Sequence, residues 1–139
     1  MEAVTRALLT PVFVFNQATL GEAWLAVLVL IAVAGLGFIV WRRASRRATY
    51  WVVAMPVPWL LMATGAGWNW AQPGVHGVAS AALTFMVQIQ WVATLSLSGI
   101  AIGKAKGARL PVLILAVINA WFAFVGGLLA LMIVTGSWI

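Results

Sequence analysis

The sequence contains no cysteine, which excludes disulfides, thiolate metal sites and thiol catalysis within the chain. It has two acidic residues, Glu2 and Glu22, and both lie outside the apolar runs, so the chain offers no intramembrane carboxylate for proton relay. Its single histidine excludes a haem held by two histidines of this chain. Phosphate-cradling loops and the zinc motif H-E-x-x-H are also missing. We therefore expect no enzymatic chemistry and no metal site from this chain alone.

Charge of either sign is scarce as well. Charged residues make up 7% of the 139 residues, whereas about 25% is usual in a soluble domain, and hydrophobic residues make up 65%. This length accommodates about four membrane spans of roughly 20 residues each and leaves no room for an aqueous domain. The sequence therefore predicts an all-α integral membrane protein with four transmembrane helices, forming one domain over residues 1–139.

Four long apolar runs define the spans, and we place them at about residues 23–41, 49–70, 78–102 and 110–134. The earlier apolar patch at residues 7–15 is too short to span, so we interpret it as an interfacial or re-entrant segment. Pro56 and Pro58 each remove a backbone donor from span two. We expect a kink there, with the freed carbonyls facing protein rather than lipid.

The basic residues are unevenly distributed. Seven of the eight lie in two loops, residues 42–47 and 103–109, whereas Arg6 and both acids lie on the other side of the spans. The positive-inside rule predicts that both basic loops are cytoplasmic and both termini outside, in the inner (cytoplasmic) membrane of a bacterium. We therefore expect the basic residues behind the net charge of +6 to contact anionic lipid rather than nucleic acid.

Polar side chains recur near the middle of the spans. They are three amides and three indoles: Gln88, Gln90, Asn119, Trp59, Trp91 and Trp121. Such groups either form interhelical hydrogen bonds or line a polar path for a substrate or quinone, and we favour interhelical contacts. Gln88 and Gln90 lie about 200° apart around a helix, so at least one of them must face something beyond a four-helix core.

Small residues predict close helix packing. On span four, one face combines an amide with small side chains, at Asn119, Ala123, Gly126 and Ala130. We expect this face to contact another chain, and Gly99 with Gly103 to form a second contact on span three. His76 lies in the turn of residues 71–77, and it is a candidate cofactor ligand only if a partner supplies a second one. The sequence itself identifies no cofactor.

Several short motifs occur in the first half of the chain. Pro11-Val12-Phe13 runs into Asn16-Gln17, and Tyr50-Trp51-Val52 precedes Pro56-Val57-Pro58-Trp59-Leu60-Leu61 with Thr64 and Gly67-Trp68. In these motifs, residues 11–68 resemble part of the carbon-starvation family of peptide and pyruvate transporters. Members of that family are several times longer, and the likeness does not extend to residues 69–139. The resemblance implies that Asn16 and Gln17 line a substrate path.

Three functions are compatible with these features. The first is a non-catalytic subunit of a larger respiratory, photosynthetic or transport complex, because amides and indoles occupy more faces than four helices can bury. The second is a small homo-oligomeric transporter or channel with a mid-membrane polar path. The third is a subunit that holds a quinone, haem or pigment. We take the first as the working hypothesis, with other membrane subunits or further copies of the chain as partners.

Overall fold

The computed structural model of the chain describes residues 2–70 and 78–135. These residues form six helices and no strand: α1 Glu2–Ala18, α2 Ala23–Arg43, α3 Arg46–Ala54, α4 Val57–Trp70, α5 Val78–Lys104 and α6 Arg109–Thr135. Four stretches are long and apolar enough to cross a membrane, namely Ala23–Arg43, Arg46–Trp68, Thr84–Lys104 and Arg109–Met132. The prediction of an all-α membrane protein with four spanning segments is confirmed.

The second span is divided into α3 and α4 by a turn at Met55 and Pro56. Pro56 has no N–H to donate to the carbonyl of Val52, and Pro58 has none for the carbonyl of Ala54. The N–H of Met55 instead donates to the Val52 carbonyl at 3.3 Å, which tightens the chain locally. Met55 is 1% exposed, whereas Val53 and Val57 on either side of it are 67% and 44% exposed. The predicted interruption of this span is confirmed.

The N-terminal segment forms α1, a helix of 17 residues that packs against α4 and α6. The ring of Phe15 stacks on Phe122 of α6, with 5.4 Å between centroids. Gly67 of α4 permits the close approach, since a Cβ there would lie 2.9 Å from the carbonyl oxygen of Arg6 and would also collide with the side chain of Thr10. The apolar patch expected near the N-terminus is thus part of a longer helix that belongs to the bundle.

α2 stands apart from the other helices. Only 6% of the residues in its most apolar 18-residue stretch are buried, compared with 44% in the corresponding stretch of α6. Its buried anchor is Val40, which is 1% exposed and packs near the basic end of the bundle with Ala101, Ala105 and Val112. Further from that end α2 touches the core through fewer side chains, Val29 among them. A gap therefore lies between the middle of α2 and the helices behind it.

The two basic loops meet at one end of the bundle. A Cβ built at Gly107 would lie 3.6 Å from the carbonyl oxygen of Arg43, and the φ angle of +92° at Gly107 is one that glycine adopts without strain. In the first loop, Ser45 caps α3 by accepting a hydrogen bond at 3.3 Å from the N–H of Ala48. The seven basic residues of these loops are thereby gathered at the same end of the structure.

Candidate functional site beside the break in the second span

Asn119 joins α6 to the break between α3 and α4. Its Nδ2 donates to the carbonyl oxygen of Met55 at 3.0 Å, and its Oδ1 accepts from Trp59 Nε1 at 3.0 Å. All three residues are buried. An amide from a neighbouring helix thus binds a backbone carbonyl in the turn that divides the span, and inside a membrane such a carbonyl needs a protein or water partner. Of the polar residues singled out in the sequence, Trp59 and Asn119 are brought into direct contact.

Three aromatic rings form a stack beside this amide. Phe122 lies between Phe15 and Trp59, with centroid separations of 5.4 Å and 5.6 Å and interplanar angles of 16° and 27°. The rings come from α1, α6 and α4, so the stack holds three helices together. Offset stacking of this kind contributes about 0.5–1.5 kcal/mol per pair beyond the burial of surface. The three stacked rings, hereafter called the aromatic wall, lie next to Asn119.

A cavity of ≈ 400 Å³ occupies the gap between α2 and this wall. Phe15, Phe122 and Trp59 contribute to its lining, and α2 contributes aliphatic side chains and Gly37. Asn119 is the one amide among the lining residues. The cavity thus combines a large apolar surface with two polar groups, the Asn119 amide and the Trp59 indole N–H, which is the usual composition of a small-molecule site.

The two glutamines of α5 lie on opposite faces, as their spacing predicts. Gln90 is 3% exposed and its Nε2 donates to the carbonyl oxygen of Ala123 at 3.0 Å, which joins α5 to α6. Its Oε1 has no protein partner in the described structure, nor have the buried hydroxyls of Thr94 and Ser98 on the same face. Gln88 is exposed on the opposite side of α5. Gln90 therefore serves packing, whereas Gln88 points away from the bundle.

The other two mid-span indoles lie away from the cavity. Nε1 of Trp121 donates to the carbonyl oxygen of Ala18 at 2.9 Å, so it ties α6 to the last residue of α1. Trp91 meets Phe124 edge-on, with 6.0 Å between centroids. The polar residues near the middle of the spans consequently fall into separate contacts rather than lining one shared path.

The small-residue face of α6 packs inside the chain. Ala123 and Ala130 are at most 2% exposed, and a Cβ at the buried Gly126 would lie 3.4 Å from Val14 Cγ1 and 3.5 Å from Met62 Cε. The face is therefore occupied by α1 and α4. The expectation that it contacts another chain is wrong, because the N-terminal helix covers this part of α6.

The second pair of small residues has the opposite placement. Gly99 and Gly103 are exposed, and no heavy atom of the described residues lies within 4 Å of a Cβ built at either one. They make no close contact with the described helices, so the packing role expected for them requires a helix outside this set. His76 lies outside the described residues. Within the described ranges no three His, Cys, Asp or Glu side chains are grouped so as to hold a metal ion.

A second, polar cavity of ≈ 710 Å³ lies at the basic end. Arg42 and Arg46 line it together with Trp41, Thr49 and Tyr50. The guanidinium of Arg42 also sits 5.2 Å from the ring centroid of Phe38. One arginine guanidinium can donate two parallel hydrogen bonds to two oxygens of a phosphate. Tryptophan and tyrosine side chains are typical of the membrane interface. The lining thus suits the anionic lipid headgroups expected at this loop.

No protein-family model matches the chain, and neither a curated protein nor a solved structure does so. The resemblance of residues 11–68 to carbon-starvation transporters therefore stays a prediction based on short motifs. Asn16 and Gln17, which that resemblance implicates in a substrate path, are exposed near the end of α1 and do not line the apolar cavity. The structure shows a membrane protein with four candidate spanning segments and a cavity beside a helix break, lined by aromatic rings and one amide.

Proposed function

We propose that this chain is a non-catalytic subunit of a larger membrane assembly and that α5 packs against a helix of a partner subunit. The observation that carries the proposal is the exposure of Gln88 within the candidate span Thr84–Lys104. Its neighbours Phe85, Ile89 and Val92 are exposed too. Polar side chains within spanning segments almost always face protein or a water-filled cavity rather than lipid. A partner helix then supplies a hydrogen-bonding group to Gln88, which is exposed on the described part of the chain.

The rest of this α5 face is suited to close helix packing. Gln88, Ser96, Gly99 and Gly103 are all exposed and lie within about 80° of one another around the helix axis. Hereafter these four residues are called the outer face of α5. Glycines four residues apart let two helices approach closely, and a hydrogen bond from an amide adds about 0.6 kcal/mol on average in membranes. The face therefore combines steric room with one polar anchor.

In this proposal the chain sits in an inner membrane with both basic loops on the cytoplasmic side and both termini outside. Support comes from the seven basic residues gathered at one end, against Arg6 on the other side of the spans. Arginines around the polar cavity would contact anionic lipid at about 1 kcal/mol per basic residue. The outer face of α5 would then meet its partner within the hydrocarbon region.

The test compares two glycines that are both exposed and both have open space beyond them, Gly99 on α5 and Gly65 on α4. Gly99→Leu should remove the chain from its native assembly, because the added side chain holds the partner helix away. Gly65→Leu should leave assembly unchanged. The measurement is the fraction of chain that migrates with partner chains on a native gel after extraction in mild detergent.

A second variant, Gln88→Leu, removes the polar anchor without adding bulk at the glycines. We expect partial dissociation, smaller than that of Gly99→Leu, since one membrane hydrogen bond averages about 0.6 kcal/mol. Differently tagged copies of the chain distinguish a second copy from a different subunit as the partner. Full assembly of both Gly99→Leu and Gln88→Leu would contradict the proposal.

A further inference from the structure

The apolar cavity beside α2 is open to the surface on the side of the break. Leu30, Val33 and Val53 line it and are 57%, 39% and 67% exposed. All three belong to spanning segments, so a ligand would enter from the hydrocarbon region rather than from water. The volume of ≈ 400 Å³ lies within the range of about 300–1,000 Å³ that is typical of small-molecule sites. The cavity is therefore accessible to a lipid-soluble molecule of moderate size.

The polar chemistry of the cavity is concentrated at Asn119. A side-chain amide has two N–H donors and two acceptor positions on its oxygen. One donor binds the Met55 carbonyl and one acceptor position binds Trp59 Nε1. These are the hydrogen bonds of Asn119 within the described structure, so one N–H and one acceptor position of the amide are not used there. Because Asn119 lines the cavity, a carbonyl oxygen is the ligand group that would accept a hydrogen bond from this second N–H.

The shape of the wall selects for a flat ring. Phe15, Phe122 and Trp59 all line the cavity, and both faces of Phe122 are covered by the other two rings. A ligand would therefore meet ring edges or the outer face of Phe15 or Trp59, and edge-to-face and offset contacts are the geometries that planar rings prefer. No charged residue lines the cavity, so an ionised headgroup would lose its hydration without gaining a partner. An acyl chain alone would fill the volume but would leave the free N–H of Asn119 unpaired.

We propose that this cavity binds a lipid-soluble quinone, meaning an uncharged planar ring with two carbonyl groups and an apolar tail. Asn119 donates its second N–H to one carbonyl oxygen, and the ring lies against the aromatic wall. The tail leaves through the opening between α2 and the break. This site is distinct from the outer face of α5, so quinone binding and subunit assembly are separable.

Two glycines of α2 provide a matched pair for the test. A Cβ at Gly37 or at Gly35 meets no heavy atom within 4 Å, so both positions accept a side chain, but only Gly37 lines the cavity. The chain is reconstituted in phosphatidylcholine nanodiscs with decylubiquinone and then exchanged into quinone-free lipid. Quinone retained per chain is measured by extraction and ultraviolet absorbance, with protein-free nanodiscs as the blank.

Wild type and Gly35→Leu should retain quinone equally, whereas Gly37→Leu should bind about tenfold less, a factor that corresponds to the loss of a few ring contacts. Val33→Phe fills the same cavity from the next turn and should reproduce the loss if Gly37→Leu does not fold. Retention by wild type no greater than in protein-free nanodiscs would overturn the proposal, and so would equal retention by all four proteins. Phospholipid acyl chains would then be the occupant.

The role of Asn119 has its own readout. In isotope-edited infrared spectra of bound, carbonyl-labelled decylubiquinone, one carbonyl stretch should lie lower than in protein-free nanodiscs, because a hydrogen bond weakens the C=O bond. The shift should be the same in Gly35→Leu. Two carbonyl stretches at their protein-free frequencies would overturn the assignment of Asn119 as donor.

Discussion

At the scale of single residues, Asn119 shows how one amide serves both stability and a site. It satisfies the Met55 carbonyl at the helix break and the indole of Trp59 at the same time. Either partner would otherwise be a buried polar group without a hydrogen bond, which costs about 1–3 kcal/mol. Asn119 also lines the adjoining cavity, where the quinone proposal assigns its remaining N–H to a ligand carbonyl.

This arrangement predicts the effect of Asn119→Leu on an isolated chain. Two interhelical hydrogen bonds are lost, so we expect the free energy of unfolding in mixed micelles to fall by about 1–3 kcal/mol. Val117→Leu, at an exposed position of the same helix, serves as the control and should change it by less than about 0.5 kcal/mol. Equal stability of the two variants would show that the hydrogen bonds of Asn119 contribute nothing to the fold.

At the scale of elements, α6 is the helix on which the others pack. Its small-residue face receives α1 and α4, while Ala123 also accepts a hydrogen bond from Gln90 of α5. α1 therefore replaces the neighbouring chain that the sequence predicts for this face. Among the described residues, α2 and the outer face of α5 lack such cover, and they carry the two proposals made above.

Gly126→Leu tests the packing of α6. The new side chain must displace Val14 of α1 and Met62 of α4, and overpacking of this kind costs about 1–3 kcal/mol. Because the contact is intramolecular, we expect the free energy of unfolding of the isolated chain to fall by this amount. Denaturant titration in detergent measures it. Gly65→Leu places the same side chain at an exposed glycine and should have little effect. Loss of assembly with unchanged stability of the isolated chain would instead mean that the face meets a partner.

At the scale of the whole molecule, the charge distribution predicts one orientation in the membrane. Because the chain has no cysteine, single cysteines report on each loop. Impermeant maleimide applied to intact cells should label Gly74→Cys and should not label Ser45→Cys or Lys106→Cys. Lys106 is preferable to Gly107, whose positive φ angle of +92° would strain any other residue. External labelling at Ser45→Cys would reverse the orientation.

Several features of this protein follow from the sequence alone. Long apolar runs predict the four spans, since helix length must match bilayer thickness. Pro56 predicts the break, since proline lacks the N–H that a helix needs. The rotation of about 100° per residue places Gln88 and Gln90 on opposite faces. Each of these consequences is local and depends only on backbone geometry and residue type.

Only the tertiary structure decided which faces meet. Asn119 contacts Trp59 and Met55, and α1 covers Gly126. Gly99 faces open space, and a cavity lies beside α2. In a soluble protein the apolar side of a helix identifies the core, but lipid is as apolar as the interior of a bundle. Hydrophobicity therefore carries no information about inside and outside here. Those relations arise from the fit between side chains far apart in the chain, which no local pattern contains.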